Sequence, residues 1–402
     1  MRILTLTTIY PNPQVPFEGR SVAMLDQHLA KRGVFGTTLV LKPWIPFALA
    51  KRNPKWRHVA VKPHIEESEG LRVIFSRYPH VPMRFSLEWS VRGLVVQALR
   101  LIERHKLEFE VVHGECIYPA ALAAQRVAQH FHVPFVATFR DDLSHLDTLY
   151  ETRQARILFE PFFRKAATIF VIGPSLYRDA PRFVPAGAGT PIVLAPNGVD
   201  LEGIRNQLHK PSTVLARDWG TFVSVSSLYR YKGIHENLYA LKKLDERGMR
   251  AWRYHVLGEG HYRQELEELT RALDLADRVS FLGPVEHPVA LQAMQEADFF
   301  CLPSWAEAFG NVYAEAAVCG RAAIGCRGYG AEIMIKDRET GLLVAPRDVD
   351  ALAGALEFML THPEETRAMG ARATQHIQQF TWDKTAQIYL QTLARICNVS
   401  RA

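Results

Sequence analysis

The chain has 402 residues, 48% of them hydrophobic and 22% charged, with a net charge of +6 at neutral pH. This composition excludes a disordered or low-complexity chain and supplies apolar material for two domains. No apolar run approaches the roughly 20 residues that cross a bilayer. Cys116, Cys301, Cys319, Cys326 and Cys397 are scattered and never form C-x-x-C, which excludes a disulfide framework and fits free thiols in a reducing, cytoplasmic compartment.

The chain opens on Met1-Arg2-Ile3-Leu4-Thr5-Leu6, which soon meets Thr7-Thr8 and Pro11. With no long apolar stretch and no small-residue cleavage site, it reads as a first strand and not as a signal peptide. Strands are predicted at 2–9, 37–41, 110–113, 135–139, 168–172 and 192–195. A second series follows at 221–225, 252–257, 279–282, 299–302, 322–325 and 341–344. Helical patterns lie between them at 21–32, 88–105, 120–131, 234–247 and 262–273. Near-continuous apolar strands alternating with helices imply parallel sheets covered on both faces. Two such series imply two doubly wound domains. Residues 181–191 are rich in Pro, Gly and Ala, and 201–217 lack a clear period, so a linker is expected near 200–217. The expected division is 1–205, 206–380 and a last segment 381–402, whose helix 383–396 would return to brace the first domain.

The charge is uneven. Residues 1–200 carry +8 and the remainder −2. Between Lys42 and Lys106 there are 13 basic and 5 acidic residues. A basic face confined to one domain points to an anionic surface or acceptor.

The strongest chemical signal is Pro303-Ser304-Trp305-Ala306-Glu307-Ala308-Phe309-Gly310-Asn311-Val312-Tyr313-Ala314-Glu315-Ala316. Here a strand ends, a loop turns and a helix begins near Gly310. The free N–H groups and positive dipole end of such a helix are a ready site for a diphosphate. Gly310 allows close approach of a phosphate to the backbone. Glu307 in the loop is placed to accept from sugar hydroxyls. Glu315, about a turn and a half into the helix, is placed to hold a ribose.

This segment resembles the E-x7-E motif of the retaining GT-B glycosyltransferases of family GT4. Other pieces agree in order: Pro196-Asn197-Gly198-Val199-Asp200, Leu228-Tyr229-Arg230-Tyr231-Lys232-Gly233, Leu257-Gly258-Glu259-Gly260, Phe281-Leu282-Gly283 and Thr340-Gly341-Leu342-Leu343-Val344. In the first half, Tyr10-Pro11-Asn12 through Phe17-Glu18-Gly19-Arg20 resembles the glycine loop after the first strand. The resemblance covers nearly the whole chain and is most specific in its second half. It implies a GT-B fold: two Rossmann-like domains facing across a cleft, with a C-terminal helix returning to the first.

The resemblance also implies roles. Lys232 matches the lysine that neutralises the donor diphosphate, Glu307 the residue near the transferring sugar, and Glu315 the ribose ligand. Phe309, Gly310, Asn311 and Val312 match the loop whose backbone faces the phosphates, and Gly19 the glycine facing them from the first domain. Leu282 lies where the base is expected. Because cations and N–H donors would stabilise the departing diphosphate, no metal or other cofactor is required.

Two departures stand out. Ser227 occupies the place where the family usually has a second phosphate-binding arginine, and Ser226 the place of a usual glycine. Arg230 is the candidate to supply the missing charge. Arg140 stands where many relatives have a histidine by the donor sugar. It is expected to face the diphosphate or an acidic acceptor, with His113, Asp141 and Asp142 lining the same region.

Bland readings compete. Gly258-Glu259-Gly260 lacks a third glycine, since Arg263 follows, and reads as a turn at a strand end. Asp348-Val349-Asp350 spells D-x-D but precedes an Ala/Leu helix, where capping is the expected role. His113 is as readily a satisfied structural histidine as a site residue.

Residues 42–57 carry five basic and no acidic residues, with Trp44, Phe47 and Trp56 interleaved. This mixture suits an anionic membrane headgroup layer and equally a solvated loop over an apolar patch. No nucleic-acid-binding motif accompanies it. The expected activity is transfer of a hexose-type sugar, from a UDP- in preference to a GDP-sugar, to a glycan or lipid-linked glycan acceptor in bacterial polysaccharide assembly. The alternatives are a non-catalytic nucleotide-sugar-binding module and an epimerase or hydrolase of the same fold.

Overall fold

The computed structural model describes residues 1–13, 15, 18–44, 63–79, 87–140, 153–208 and 220–401. The chain divides into two compact units. The first comprises Met1–Ile172, Leu176–Gly198 and Trp382–Ala402, and the second Gly173–Ser175 and Val199–Thr381.

The first unit is built on eight strands: β1 (Arg2–Thr7), β2 (Phe35–Trp44), β3 (His64–Ser68), β4 (Leu71–Pro79), β5 (Val111–Glu115), β6 (Phe135–Phe139), β7 (Thr168–Val171) and β8 (Ile192–Leu194). Their order is β3-β4-β2-β1-β5-β6-β7-β8. All neighbours are parallel except the β3/β4 pair. The central strands β5 and β6 are buried at every position. This is the pattern of a sheet covered on both faces, and it explains their continuous apolar character.

Six strands were predicted for this half, and β3 and β4 were not among them. The edge strand β3 is His64-Ile65-Glu66-Glu67-Ser68, exposed from its second residue on. It carries no apolar run to betray it, as befits an edge guarded by charge.

The last helix, Trp382–Arg401, belongs to the first unit. Its residues Trp382, Ala386, Tyr389 and Leu393 recur at helical spacing and join Ile3, Leu25, Val111, Val136 and Phe170 in one buried cluster. The Tyr389 ring stacks on Phe170 with centroids 3.9 Å apart, and Thr385 Oγ1 donates to the Pro196 carbonyl at 2.7 Å. Burying each large side chain of this kind stabilises by about 1.5–3 kcal/mol. The return of the helix, expected for a two-domain fold of this kind, is therefore an apolar packing event.

The second unit holds six parallel strands: β9 (Thr221–Val225), β10 (Arg253–Leu257), β11 (Val279–Gly283), β12 (Phe299–Cys301), β13 (Ala323–Cys326) and β14 (Gly341–Val344). Their order is β11-β10-β9-β12-β13-β14. The order reverses between β9 and β12, and in open sheets of this type that switch point, at the carboxyl ends of the strands, is where ligands bind.

The predicted linker 200–217 begins instead with a short helix, Leu201–Gln207, in the second unit. Asp200 starts it by accepting from Gly203 N at 2.9 Å. Seven residues are too few to display a 3.6-residue period, so the helix was missed. Residues 209–217 of the predicted linker lie outside the described residues.

Candidate active site

The loop after β12 leads into the helix Asn311–Val318, with Gly310 at its N-cap. Gly310 has φ 78°, and a Cβ there would come within 2.5 Å of the Tyr313 ring. Glycine satisfies both constraints at once. Tyr313 is fixed by donating its hydroxyl to the Leu302 carbonyl at 2.6 Å. No side chain caps the helix, so the first-turn N–H groups at Asn311 and Val312 are left for a ligand. Phe309 is buried, Asn311 exposed and Val312 half-buried.

A second loop is tied to this one. Trp305 N donates to the Tyr231 carbonyl at 3.0 Å, and Ser304 Oγ donates to the same oxygen at 3.2 Å. Lys232 is thereby held beside Glu307: Lys232 Nζ lies 2.5 Å from Glu307 Oε2. The backbone of Glu307 is anchored as its carbonyl accepts from Gly330 N at 2.7 Å. The two side chains are 13% and 20% exposed. Behind Lys232 the helix Ile234–Glu246 starts at Gly233 and turns its own N-terminus to the same region. Arg230 is exposed on the intervening turn and makes no ion pair among the described residues. Ser227 is also exposed. Leu282, at the end of β11, is 41% exposed.

Glu315 points to a partner that sequence reasoning missed. Its Oε1 lies 3.1 Å from His287 Nε2. The other ring nitrogen, Nδ1, is 2.8 Å from Gln207 Oε1. His287 begins the helix His287–Glu296, and nothing in its sequence context distinguished it from a helix-start residue followed by Pro288.

The first-unit candidates are placed differently. Gly19 is the N-cap of the helix Arg20–Ala30 with φ 69°, and a Cβ there would lie 2.6 Å from the Ile9 carbonyl carbon. The glycine is required by close backbone approach. Arg140 is buried and turned inward. Its Nε and one terminal nitrogen reach the two Glu115 oxygens at 2.7 and 2.8 Å, and its third nitrogen donates to Asn197 Oδ1 at 2.7 Å. Burial alone disfavours the charged guanidinium, but the Glu115 carboxylate outweighs it and raises the Arg140 pKa. The guanidinium expected to face a phosphate thus already has a fixed counter-ion.

His113 is also buried, with Nε2 2.7 Å from Thr138 Oγ1. Burial lowers its pKa, and so does Arg140, while Glu115 opposes them. It is therefore an interior histidine with a hydrogen-bond partner. Asp141 and Asp142 lie outside the described residues.

The structure bears on two further sequence signals. Asp348 Oδ1 accepts from Ala351 N at 2.9 Å, so the first D of the D-x-D caps the helix Val349–Thr361 as predicted. Lys42, counted in the basic face of 42–57, is only 2% exposed and is neutralised by Glu18 at 2.6 Å. Trp44 is 55% exposed, and 45–57 lie outside the described residues.

Against known proteins, the family model described as "Glycosyl transferases group 1" matches residues 206–376, and that described as "Glycosyltransferase Family 4" matches residues 19–202. The chain belongs to the GT4-type glycosyltransferases. A putative teichuronic acid biosynthesis glycosyltransferase, TuaC, of Bacillus subtilis is 23% identical over 89% of this chain and 88% of its own length. D-inositol 3-phosphate glycosyltransferase of Rhodococcus erythropolis is 34% identical over 32% of this chain. That match spans 29% of the relative's length. Among solved structures, Anabaena HepE in complex with UDP superposes with a TM-score of 0.68 at 19% identity, over 98% of this chain and all of HepE. The fold is thus GT-B, with two Rossmann-like units and the C-terminal helix in the first.

Proposed function

We propose that this GT4-type protein transfers a hexose from a nucleoside diphosphate sugar, UDP- before GDP-, to a glycan or lipid-linked glycan acceptor, with retention of anomeric configuration and without a metal. The observation that carries the reading is the pairing of Lys232 with Glu307 beside the uncapped helix start at Gly310–Val312. A donor diphosphate entering there takes over Lys232 as its counter-ion and lies against the N–H groups of Asn311 and Val312. Arg230 adds charge in place of the arginine absent at Ser227. Glu307, released from Lys232, accepts from hydroxyls of the transferring sugar. Glu315 holds the ribose, and backbone at Leu282 meets the base. Negative charge developing on the leaving diphosphate is met by groups already in position, the usual source of such rate enhancement. The leaving phosphate itself takes the acceptor proton. The basic 42–57 segment, less Lys42, docks the enzyme on the anionic cytoplasmic leaflet beside its acceptor. Unchanged flotation of a Trp44/Trp56 double alanine variant with anionic liposomes would rule that docking out.

The deciding experiment is nucleotide release from UDP-, GDP- and ADP-sugars in EDTA, comparing wild type with Glu307→Ala. Release from one donor, lost in the variant, supports the reading. Donor binding without release, even with lipid-linked acceptors present, favours a non-catalytic binding module instead.

A further inference from the structure

The Glu315 carboxylate is held on one side only. His287 Nε2 contacts Oε1 at 3.1 Å, and no other side chain among the described residues bonds this carboxylate. A carboxylate only accepts, so the ring nitrogen donates. Glu315 and His287 are each less than one-fifth exposed, at 19% and 17%. On the far side of the ring, Nδ1 lies 2.8 Å from Gln207 Oε1. Gln207 is in turn oriented by donating its amide nitrogen to the Gly203 carbonyl at 3.1 Å. Three helices of the second unit, Leu201–Gln207, His287–Glu296 and Asn311–Val318, thus contribute one side chain each to a single chain of contacts ending at Glu315.

We propose that His287, steadied by Gln207, is a positioning residue that fixes the Glu315 carboxylate so that its second oxygen faces the nucleotide ribose hydroxyls. The inference rests on the reading of Glu315 as the ribose ligand. A glutamate side chain has three rotatable torsions, and a carboxylate that swings freely loses geometry and rotamer entropy when it must accept from a hydroxyl. Tying Oε1 to the imidazole removes that freedom before the ligand arrives. The proposed role acts through Glu315 and needs no contact between His287 and the ligand. Its signature is therefore discrimination between ribose and deoxyribose, not affinity in general.

The test measures binding of UDP, GDP and ADP, and of their 2′-deoxy and 3′-deoxy counterparts, to wild type, Glu315→Ala, His287→Ala and His287→Gln by calorimetry. The nucleotide that binds wild type best sets the comparison. Wild type should prefer ribose by about tenfold or more, the worth of a hydrogen bond to a charged group. Glu315→Ala should abolish the preference. His287→Ala should lose most of it while binding the deoxy nucleotides as wild type does, and His287→Gln, whose amide can still donate, should recover part. If Glu315→Ala loses the preference but His287→Ala keeps it in full, or weakens ribo and deoxy forms equally, the positioning role is overturned while Glu315 stands. If Glu315→Ala keeps the full preference, the ribose reading of Glu315 falls and the proposal with it.

Discussion

The two units use charge in opposite ways at the ends of their central strands. In the second unit, Lys232 and Glu307 face each other at 2.5 Å but remain partly exposed, and Arg230 is exposed without an ion pair among the described residues. In the first unit, Glu115 is wholly buried and Arg140 nearly so, and each oxygen of Glu115 accepts from Arg140. Asp26 is buried beside Thr38, whose hydroxyl donates to it at 2.7 Å. A pair still partly open to water can exchange partners more readily than a fully buried one, which cannot lose a partner without stranding a charge in a poor solvent. The same type of fold thus holds one group of ionisable residues that stays partly open to solvent and another that is architectural.

The largest effect expected from this contrast is at Glu115. Glu115→Gln leaves the Arg140 guanidinium buried without its counter-ion and should cost about 3–5 kcal/mol of stability, read by urea unfolding. An unchanged unfolding midpoint together with lost turnover would break the contrast, because Arg140 would then be serving the ligand.

Lys232→Ala should show the reverse. Nucleoside diphosphate affinity should fall roughly 10–100-fold, as expected for removing a charge-assisted contact. Stability should fall by less than in Glu115→Gln, because both side chains of the pair keep some contact with water. Calorimetry and thermal unfolding on the same sample read both.

Asp26 sharpens the contrast through pH. Burial pushes its carboxyl from the ordinary 3.8 up to about 7, against the opposing bond from Thr38. The native state therefore keeps a proton that the unfolded chain releases. The resulting contribution to stability is fully present below about pH 3.8 and is lost as pH rises toward about 7. Asp26→Asn should flatten the fall in Tm across that window and raise Tm near pH 8 by about 2–4 °C per kcal/mol recovered. A pH profile identical to wild type would show that Asp26 is not the titrating group.

The smallest effect belongs to Arg230→Ala, which should weaken donor binding a few-fold, in the range of an exposed charge contact. If donor affinity and turnover are both untouched, Arg230 does not replace the arginine missing at Ser227.

Much of the second unit was legible because its signals are local. Gly310 and the motif around it are consecutive in sequence, and the backbone conformation they impose is set by those residues alone. The first unit was harder to read. Arg140 looked like a free cation because its counter-ion is 25 residues away on a neighbouring strand, and Asn197 is 57 residues away. His287 escaped notice for the same reason, lying 28 residues from Glu315 and 80 from Gln207. Strand β3 was missed because an exposed edge strand has no buried face to write into its sequence.

By itself the sequence determined the two αβ series and the loop–helix that opens at Gly310. Each follows from periodicity or from residues close along the chain. Only the tertiary structure decided which charges are paired and which are open. Whether a guanidinium or an imidazole is available depends on what other strands and helices bring within about 3 Å of it, the range of a hydrogen bond, and no local pattern records that distance.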